Sequence, residues 1–527
     1  MASALASSSR NERSAAQPRR RGMAPLISLS LDPAAAEPLY RQLYVQLRDA
    51  VLAGRLAPGT RLPYSRALAA ELGCSRNTVV TAFEQLLCEG YLEGQVGSGS
   101  YVSSVLPEEL LAVQGAKESI AQQASAAPPR GLSARGASLA AIARPRRDAV
   151  QPFARRPDVS SFPFEAWGRI LGRIWRRPPA ELTGYGDPAG YLPLRRVIAQ
   201  YLQAVRGLVC SAEQVLITAG GQQALDLTAR LLLDPGDAVW IEEPGFPGLR
   251  GALTAAGARL IPVPIDGEGL DVAAGRRLAP DARLAAVTPS HQYPLGVTMS
   301  LARRLALLDW AREGGAWILE DDYDSEYRFA GRPLAALQGL DAGRSGGPQA
   351  IPGQVIYVGT FSKVLFPSLR LGYLVVPPGL VESLQRARES LDDHPSLVVQ
   401  PALAAFIEEG HFATHVRRMR RLYATRQQAL VAAAGRHLGG LLEFAPDDAG
   451  LHLVGRLSQD LAARMDDQEA VRRAAAAGLS VAPLSSFYMT EPAASQPTGQ
   501  GLLLGYAAIP ERQIEPAVER LAAALRA

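Results

Sequence analysis

Residues 359–373, GTFSKVLFPSLRLGY, place one lysine beside two hydroxyl side chains and seven positions before an arginine. Lysine forms a Schiff base with the aldehyde of pyridoxal phosphate, and hydroxyl and guanidinium groups bind phosphate through charge-assisted hydrogen bonds. Lys363 is therefore the predicted cofactor lysine. The predicted phosphate ligands in this run are Thr360, Ser362 and Arg370.

Strand-like apolar runs alternate with helical segments on both sides of this lysine, over residues 152–527. The clearest strand-like runs are residues 214–218, 238–241, 316–319, 355–358 and 371–376. This rhythm predicts a multidomain α/β protein with a mostly parallel central sheet covered by helices. A smaller C-terminal α+β unit is expected from about His394.

Two loops at predicted strand ends supply groups that complement the lysine. Gly221 and Gln222 open a helix directly after a strand, so its N-terminus can bind phosphate. Asp321 follows a strand, and a carboxylate there can keep a pyridine nitrogen protonated. We prefer Asp321 to its neighbour Asp322 for this role.

A different pattern occupies residues 37–103. Apolar residues at helical spacing predict one helix that ends before Gly54, a second with Ser65 as N-cap and a third capped by Ser75. Two short strands with a glycine-rich tip between them follow the third helix, as in a wing. The segment is predicted to be a winged helix-turn-helix.

The start of the third helix carries Arg76, Asn77 and Thr78 on its exposed turn. A recognition helix meets the major groove of DNA at this position. Glycine at the wing tip admits close approach of a phosphate backbone.

Composition characterises the rest of the chain. The net charge of +4 reflects 55 basic against 51 acidic residues, so total charge does not indicate nucleic acid. Residues 1–36 are predicted to be a disordered basic tail, and residues 104–151, rich in Ala, Pro, Ser, Gly and Arg, a flexible linker. No run reaches the ~18 to 20 apolar residues of a membrane span, so we expect a cytoplasmic protein without membrane contact.

We expect no metal site. The three cysteines are too few and too scattered for a disulfide framework or for zinc. The acidic run of Asp322, Asp324 and Glu326 indicates loop polarity rather than metal ligands.

The N-terminal motifs LPYSR (62–66), LGCSRNTV (72–79) and EGYL (89–92) resemble the winged helix of GntR-type regulators. The resemblance implies that the domain binds double-stranded DNA, with Arg76 as the candidate for reading a guanine edge. The DNA contacts that it implies are Arg66, Ser75, Arg76, Asn77, Thr78 and Gly97.

Residues 155–527 resemble the fold-type I pyridoxal phosphate enzymes of the aminotransferase class. The resemblance implies an internal aldimine at Lys363 and a pyridine contact from Asp321. It further implies a phosphate cup of Gly221, Gln222, Thr360, Ser362 and Arg370. The other implied contacts are the stacked ring of Phe246, a hydrogen bond from Tyr323 to the phenolic oxygen, and Tyr185 reaching the phosphate from a partner subunit.

A GntR-type winged helix joined by a long linker to an aminotransferase-like domain resembles the MocR family, which includes the GabR-like regulators. The motifs PSHQYP (289–294) and EDDYDSEYR (320–328) are similar to that family. The resemblance implies a head-to-tail homodimer in which an effector repositions two winged helices on promoter half-sites.

Two positions depart from true aminotransferases. Tyr293 stands where those enzymes carry the asparagine of Asn-Pro-x-Gly, and Leu503 stands where they carry the arginine for the substrate carboxylate. The first hypothesis is therefore a regulator whose promoter binding is controlled by pyridoxal phosphate or an amine adduct at Lys363. An active aminotransferase with an accessory DNA module is the second, and a sensor of free pyridoxal phosphate is the third.

Overall fold

The structure is a computed structural model that describes residues 29–95, 99–104, 131–142, 151–329, 335–344, 353–445, 447–490 and 499–527. The chain divides into two compact units, Met1–Arg130 and Gly131–Ala527. Of the predicted basic tail, only residues 29–36 lie within the described ranges. No helix in these ranges combines the length and the apolar character needed to cross a bilayer.

In the described part of the first unit, three helices pack beside a two-stranded antiparallel sheet. The elements are α1 (Leu39–Leu52), α2 (Ser65–Glu71), α3 (Arg76–Cys88), β1 (Leu92–Gln95) and β2 (Gly99–Val102). Leu43, Leu68 and Val79, one from each helix, are buried in a common core. The three predicted helices and the two strands of the predicted wing are confirmed, whereas residues 96–98 at its tip lie outside the described residues.

The starts of α2 and α3 differ. Ser75 is the N-cap of α3, as predicted, because its Oγ accepts a hydrogen bond from the Thr78 backbone N–H at 3.1 Å. The prediction for Ser65 was wrong, since this residue is the first of α2 and Tyr64 is the N-cap, without a side-chain bond to the helix. The Leu68 N–H bonds to the Tyr64 carbonyl at 3.0 Å, so the helix begins at Ser65 and Tyr64 takes the N-cap position.

The described part of the second unit contains an eight-stranded sheet in the order β3-β10-β9-β8-β7-β4-β5-β6. Its strands are β3 (Val215–Thr218), β4 (Ala238–Glu243), β5 (Arg259–Asp266), β6 (Gly269–Leu270), β7 (Leu284–Val287), β8 (Trp317–Asp322), β9 (Val355–Thr360) and β10 (Gly372–Val375). Neighbours among β5, β4, β7, β8 and β9 are parallel, whereas β10 is antiparallel to both β3 and β9. The mostly parallel sheet is therefore confirmed.

Helices bury both faces of this sheet. Val239 and Ile241 of β4 belong to one buried cluster, whereas Trp240 between them belongs to another, as expected for a strand covered on both sides. The helices before the C-terminal subdomain are α4 (Ala134–Ala141), α5 (Phe164–Trp175), α6 (Leu192–Arg206), α7 (Gly221–Leu232), α8 (Pro247–Ala256), α9 (Val272–Leu278), α10 (Leu301–Gly314), α11 (Leu337–Arg344) and α12 (Val381–Leu391).

A smaller four-stranded antiparallel sheet, in the order β11-β12-β14-β13, follows in the chain. Its strands are β11 (Leu442–Phe444), β12 (His452–Leu457), β13 (Ala482–Pro483) and β14 (Gly501–Gly505). The helices of this part are α13 (Gln400–Glu408), α14 (His411–His437), α15 (Gln459–Ala462), α16 (Asp467–Ala476) and α17 (Glu511–Arg526). This is the α+β subdomain expected beyond His394.

Part of the predicted flexible linker is helical. Ser133 caps α4 by accepting a hydrogen bond from the Gly136 N–H at 3.1 Å, and Arg135 donates to the Ala255 carbonyl of α8 at 3.2 Å. The flexible-coil prediction was wrong for residues 131–142, because a serine cap and an arginine contact order a segment that has no apolar period. Residues 105–130 and 143–150 of the linker lie outside the described residues.

Candidate cofactor site and DNA-binding face

Lys363 lies in the turn between β9 and β10, shortly after β9 ends at Thr360. The next residue, Val364, is buried, and its carbonyl oxygen accepts hydrogen bonds from Tyr327 Oη at 2.8 Å and from His415 Nε2 at 3.1 Å. Because the acceptor is a carbonyl, His415 Nε2 carries the proton. These two bonds fix the backbone immediately after the lysine.

The predicted phosphate ligands surround the start of α7. Gly220 has a φ of +90°, and a Cβ atom there would lie 3.2–3.3 Å from the Arg370 guanidinium, which itself donates to the Ala219 carbonyl at 2.6 Å. A Cβ atom on Gly221 would lie 3.7 Å from the Cβ of Thr360. The N-terminus of α7, the Thr360 hydroxyl and the Arg370 guanidinium therefore meet in one place.

Ser362 adds a buried hydroxyl beside this group. Its Oγ forms no hydrogen bond with any described residue, while its backbone N–H donates to Thr360 Oγ1 at 3.2 Å. An unpaired buried hydroxyl costs free energy unless another partner satisfies it. Together with a helix N-terminus and a guanidinium, this donor set fits a phosphate group.

Asp321 and Asp322, at the end of β8, differ in their partners. The Asp322 carboxylate accepts hydrogen bonds from Arg206 at 2.9 Å, Tyr357 at 2.5 Å and Ser325 at 2.9 Å. No described residue hydrogen-bonds or ion-pairs with the Asp321 carboxylate. Burial and the nearby charge of Asp322 raise the pKa of Asp321 to about 7. A buried carboxylate without a described partner fits a positively charged ring nitrogen.

Phe246 and Gln222 approach each other at the start of α8. Gln222 Nε2 donates to the Gly248 carbonyl at 2.9 Å, and a Cβ atom on Gly248 would overlap the Phe246 ring. Phe246 also makes an edge contact with Tyr293, at a centroid distance of 5.7 Å. Tyr293 in turn contacts the ring of Tyr323 at 5.8 Å. The predicted ring residues thus belong to one aromatic cluster.

A charged network lies beneath Tyr323. His291 Nδ1 is 2.9 Å from Tyr323 Oη and 3.1 Å from Asp324 Oδ2, and its Nε2 is 2.8 Å from Asp447 Oδ2. Burial opposes a charge on His291, but the Asp324 and Asp447 carboxylates outweigh it and raise the pKa of His291 to about 10. An imidazolium donates from both nitrogens, so Tyr323 Oη accepts from Nδ1 and keeps its own O–H free to donate elsewhere.

This network was not predicted from the sequence. The expectation that Asp322, Asp324 and Glu326 are loop polarity was wrong, because Asp322 and Asp324 are buried and paired and Glu326 accepts a hydrogen bond from Tyr201 at 3.1 Å. The histidine in the PSHQYP motif was the available signal, but its partner Asp447 is 156 residues away.

Tyr185 lies apart from the residues above. Its side chain is 90% exposed, and its ring makes an edge contact with His394 at 6.2 Å. No described contact connects it with the Lys363 turn. Its exposure leaves the hydroxyl available to another molecule.

In the first unit, the side chains of Arg66, Arg76 and Asn77 are exposed at the starts of α2 and α3. Arg76 Nε lies 3.5 Å from Ser65 Oγ, at the outer limit of a hydrogen bond. The guanidinium therefore remains largely available. Gly97, predicted to contact DNA at the wing tip, lies outside the described residues.

Ser75 and Thr78 form the hydrogen bonds that cap the N-terminus of α3. Their hydroxyl oxygens are 2.9 Å apart, and Ser75 Oγ also accepts from the Thr78 N–H. A capped N-terminus directs its remaining backbone N–H groups outward, where they can meet phosphate.

Two family descriptions match this chain: "Aminotransferase class I and II" over residues 177–521 and "Bacterial regulatory proteins, gntR family" over residues 39–102. The probable rhizopine catabolism regulatory protein MocR of Rhizobium meliloti is 44% identical over 501 residues, which cover 95% of this chain and 96% of the relative. The chain belongs to the MocR family. The predicted family is confirmed.

One further relative is a transcriptional regulator, and one solved structure of similar fold is an aminotransferase. The pyridoxine biosynthesis transcriptional regulator PdxR of Corynebacterium glutamicum is 33% identical over 88% of this chain and 91% of its own length. LysN, an α-aminoadipate aminotransferase of Thermus thermophilus complexed with N-(5'-phosphopyridoxyl)-L-leucine, has a TM-score of 0.64 and 28% identity and covers 78% of this chain and 98% of that structure. The two regulators, MocR and PdxR, confirm the expectation that this chain is a regulator rather than an enzyme.

Proposed function

We propose that this MocR-family protein is a DNA-binding transcriptional regulator that holds pyridoxal phosphate on Lys363. Its promoter affinity is set by the cofactor itself or by an amine joined to it. The observation that carries the proposal is a pair of buried polar groups without partners among the described residues, the Ser362 hydroxyl and the Asp321 carboxylate. They lie at the ends of the neighbouring parallel strands β9 and β8.

When bound, pyridoxal phosphate supplies an aldehyde that condenses with a primary amine, of Lys363 or of an effector, with loss of water. Asp321 pairs with the ring nitrogen, Tyr323 donates its free O–H to the phenolic oxygen, and Phe246 stacks on the ring. The residues proposed to bind the phosphate are Gly221, Gln222, Thr360, Ser362 and Arg370.

The lysine content of the chain supports the choice of Lys363. Of the 55 basic residues only two are lysines, Lys117 and Lys363. Arginine does not form this covalent bond at neutral pH, because its guanidinium stays protonated. Lys117 lies outside the described residues.

The surroundings of Leu503 support regulation rather than transamination. Leu503 is fully buried in an apolar cluster with Ala482, Leu484 and Phe487, so it offers no bidentate partner to a substrate carboxylate. This is the position at which the aminotransferases resembled by this chain carry an arginine. An amine that condenses with the cofactor in this site therefore acts as an effector of promoter binding and not as a substrate for transamination.

We further propose a head-to-tail homodimer that reads two promoter half-sites in the cytoplasm. The exposure of Tyr185 supports it, because a tyrosine that completes a partner's phosphate site stays uncovered in a single chain. The DNA contacts proposed for each chain are Arg66, Ser75, Arg76, Asn77, Thr78 and Gly97.

The experiment compares promoter binding by wild type, Lys363→Ala and Lys117→Ala, on a DNA fragment that the wild-type protein selects from its own genome. Pyridoxal phosphate should change the affinity of wild type and Lys117→Ala by about 5-fold or more, the lower end of typical coupling between sites. Lys363→Ala should keep the basal affinity and lose the change. An equal response in Lys363→Ala would refute the proposal.

A further inference from the structure

Arg61 and Tyr64 form a stacked pair on the surface of the first unit. The Arg61 guanidinium carbon lies 4.8 Å from the centroid of the Tyr64 ring, and Arg61 Nη2 donates a hydrogen bond to Tyr64 Oη. Tyr64 is nevertheless 61% exposed. Because Tyr64 Oη accepts from the guanidinium, its own O–H remains free to donate to another group.

This pair lies between the start of α3 and the wing. Arg61 forms a β-bridge with β2, and a Cβ atom on Gly99, the first residue of β2, would lie 3.5 Å from Arg61 Nε. On the other side, the residue after Tyr64 is Ser65, whose Oγ is 3.5 Å from Arg76 Nε. The pair therefore lies next to both parts of the winged helix that are proposed to approach DNA.

A second arginine–tyrosine contact in the same unit has protein partners for its charge. The Arg48 guanidinium carbon lies 5.7 Å from the centroid of the Tyr44 ring, and Tyr44 is buried. Arg48 forms an ion pair with Asp49 at 3.1 Å, and the Tyr44 hydroxyl donates to the Glu89 carboxylate. Carboxylates of the protein thus satisfy both members of this contact.

The exposed pair has no such partner among the described residues. Neither Arg61 nor Tyr64 forms an ion pair or a hydrogen bond with a described acidic side chain. A guanidinium beside a free O–H is a donor set that fits an anion. Since the first unit is proposed to bind DNA, the anion that fits this position is a backbone phosphate.

We propose that Arg61 and Tyr64 together bind one phosphate of the DNA backbone, between the contacts made by the start of α3 and those made by the wing. The inference rests on the proposed function and adds two residues to its DNA contacts. Arg61 supplies the charge, whereas Tyr64 donates its O–H and orients the guanidinium through the cation–π contact. A phosphate contact of this kind fixes the position of the protein on the duplex without reading its sequence.

The test measures DNA binding by full-length wild type, Arg61→Gln, Arg61→Lys and Tyr64→Phe at several salt concentrations. One duplex is the fragment that wild type selects from its own genome, and the other is a duplex of equal length and random sequence. Arg48→Gln is the matched control, because Arg48 also contacts a tyrosine ring but is paired with Asp49.

Arg61→Gln should weaken binding to both duplexes by the same factor, roughly tenfold or more, as expected for loss of a charge-assisted hydrogen bond. The slope of log affinity against log salt concentration should decrease in magnitude by about 1 for each winged helix bound, because one phosphate contact is lost. A loss of stability alone would leave this slope unchanged.

The other variants separate charge from hydrogen bonding. Arg61→Lys should keep the salt slope, because it keeps the positive charge. Tyr64→Phe should weaken binding to both duplexes by about 2- to 10-fold without changing the slope, because the lost hydroxyl is neutral. Arg48→Gln should change neither the affinity nor the slope.

An Arg61→Gln protein with the affinity and the salt slope of wild type would overturn the inference. A loss confined to the selected fragment would also overturn it, because that result would indicate contact with a base. In both cases the proposed function stands as long as wild type prefers the selected fragment. If wild type prefers no fragment of its genome, the proposed function fails and the inference fails with it.

Discussion

Asp321 and Asp322 are adjacent in the sequence, yet their carboxylates have opposite environments. Asp322 is surrounded by donors, including the buried guanidinium of Arg206. Asp321 is buried without a described partner. A buried ionised carboxylate is costly unless it is paired, so Asp321 destabilises the cofactor-free protein at neutral pH and gains a partner when a cationic ring binds.

We predict that Asp321→Asn stabilises the cofactor-free protein at pH 8 while it weakens pyridoxal phosphate binding. The folded-state pKa is raised from 3.8 to about 7, so stability falls as the pH rises between these values and stays reduced above them. The gain should reach on the order of 1 to 4 kcal/mol at pH 8 and vanish below about pH 4. Chemical denaturation at several pH values measures it.

Asp322→Asn is the matched control for this prediction. It removes the carboxylate that pairs with buried Arg206. Breaking a buried ion pair leaves an uncompensated charge, so this variant should lose about 3 to 5 kcal/mol. If both substitutions destabilised the protein equally at pH 8, the assignment of different roles to the two aspartates would be wrong.

At the scale of elements, the functional groups lie where helices and strands end. The Lys363 turn follows β9, Asp321 lies at the carboxyl end of β8, and the proposed phosphate ligands meet at the start of α7. Parallel strands bring their carboxyl ends to one edge of the sheet, which is where ligands bind in α/β folds. In the first unit, the start of α3 carries the residues proposed to read DNA.

Ser75→Ala should destabilise the first unit by about 1 kcal/mol, because it removes the side-chain bond that caps α3. Ser65→Ala is the matched comparison, since Ser65 is the first helical residue of α2 and makes no capping bond. Its effect should be within about 0.5 kcal/mol. The thermal unfolding transition of the first unit measures the stability change in both variants. A larger loss of stability in Ser65→Ala than in Ser75→Ala would contradict the assigned caps.

Those parts of the fold that depend on patterns within a single segment of the chain were predictable from the sequence. Apolar periodicity located α1 and α3 and the strands β8 and β9, and the hydroxyl residues around Lys363 indicated the candidate phosphate site. The pairing of His291 with Asp447, and the approach of Arg155 to Phe487, join segments distant in sequence. Such contacts depend on tertiary packing, so no local pattern indicated them.

In the proposed homodimer, two chains contribute residues to each cofactor site. Tyr185→Phe removes only the hydroxyl, so pyridoxal phosphate should bind the variant homodimer roughly tenfold or more weakly. A hybrid dimer of one Tyr185→Phe chain and one Lys363→Ala chain tests the geometry. Its site at the intact lysine receives an intact tyrosine from the partner, so one tight site per hybrid should reappear.

Equilibrium binding to purified hybrids, prepared with two different affinity tags, measures the number of tight sites. If Tyr185 acted within its own chain, the chain that keeps Lys363 would still lack the hydroxyl. The hybrid would then show no tight site, and the proposed exchange between subunits would be wrong.

The proposed covalent bond between Lys363 and pyridoxal phosphate can be measured directly, because the chain has only two lysines. Protein mixed with pyridoxal phosphate is reduced with borohydride, digested and analysed by mass spectrometry. We expect one phosphopyridoxyl group per chain on the peptide that contains Lys363, retained in Lys117→Ala and absent from Lys363→Ala. A modified Lys117 peptide with an unmodified Lys363 peptide would contradict it.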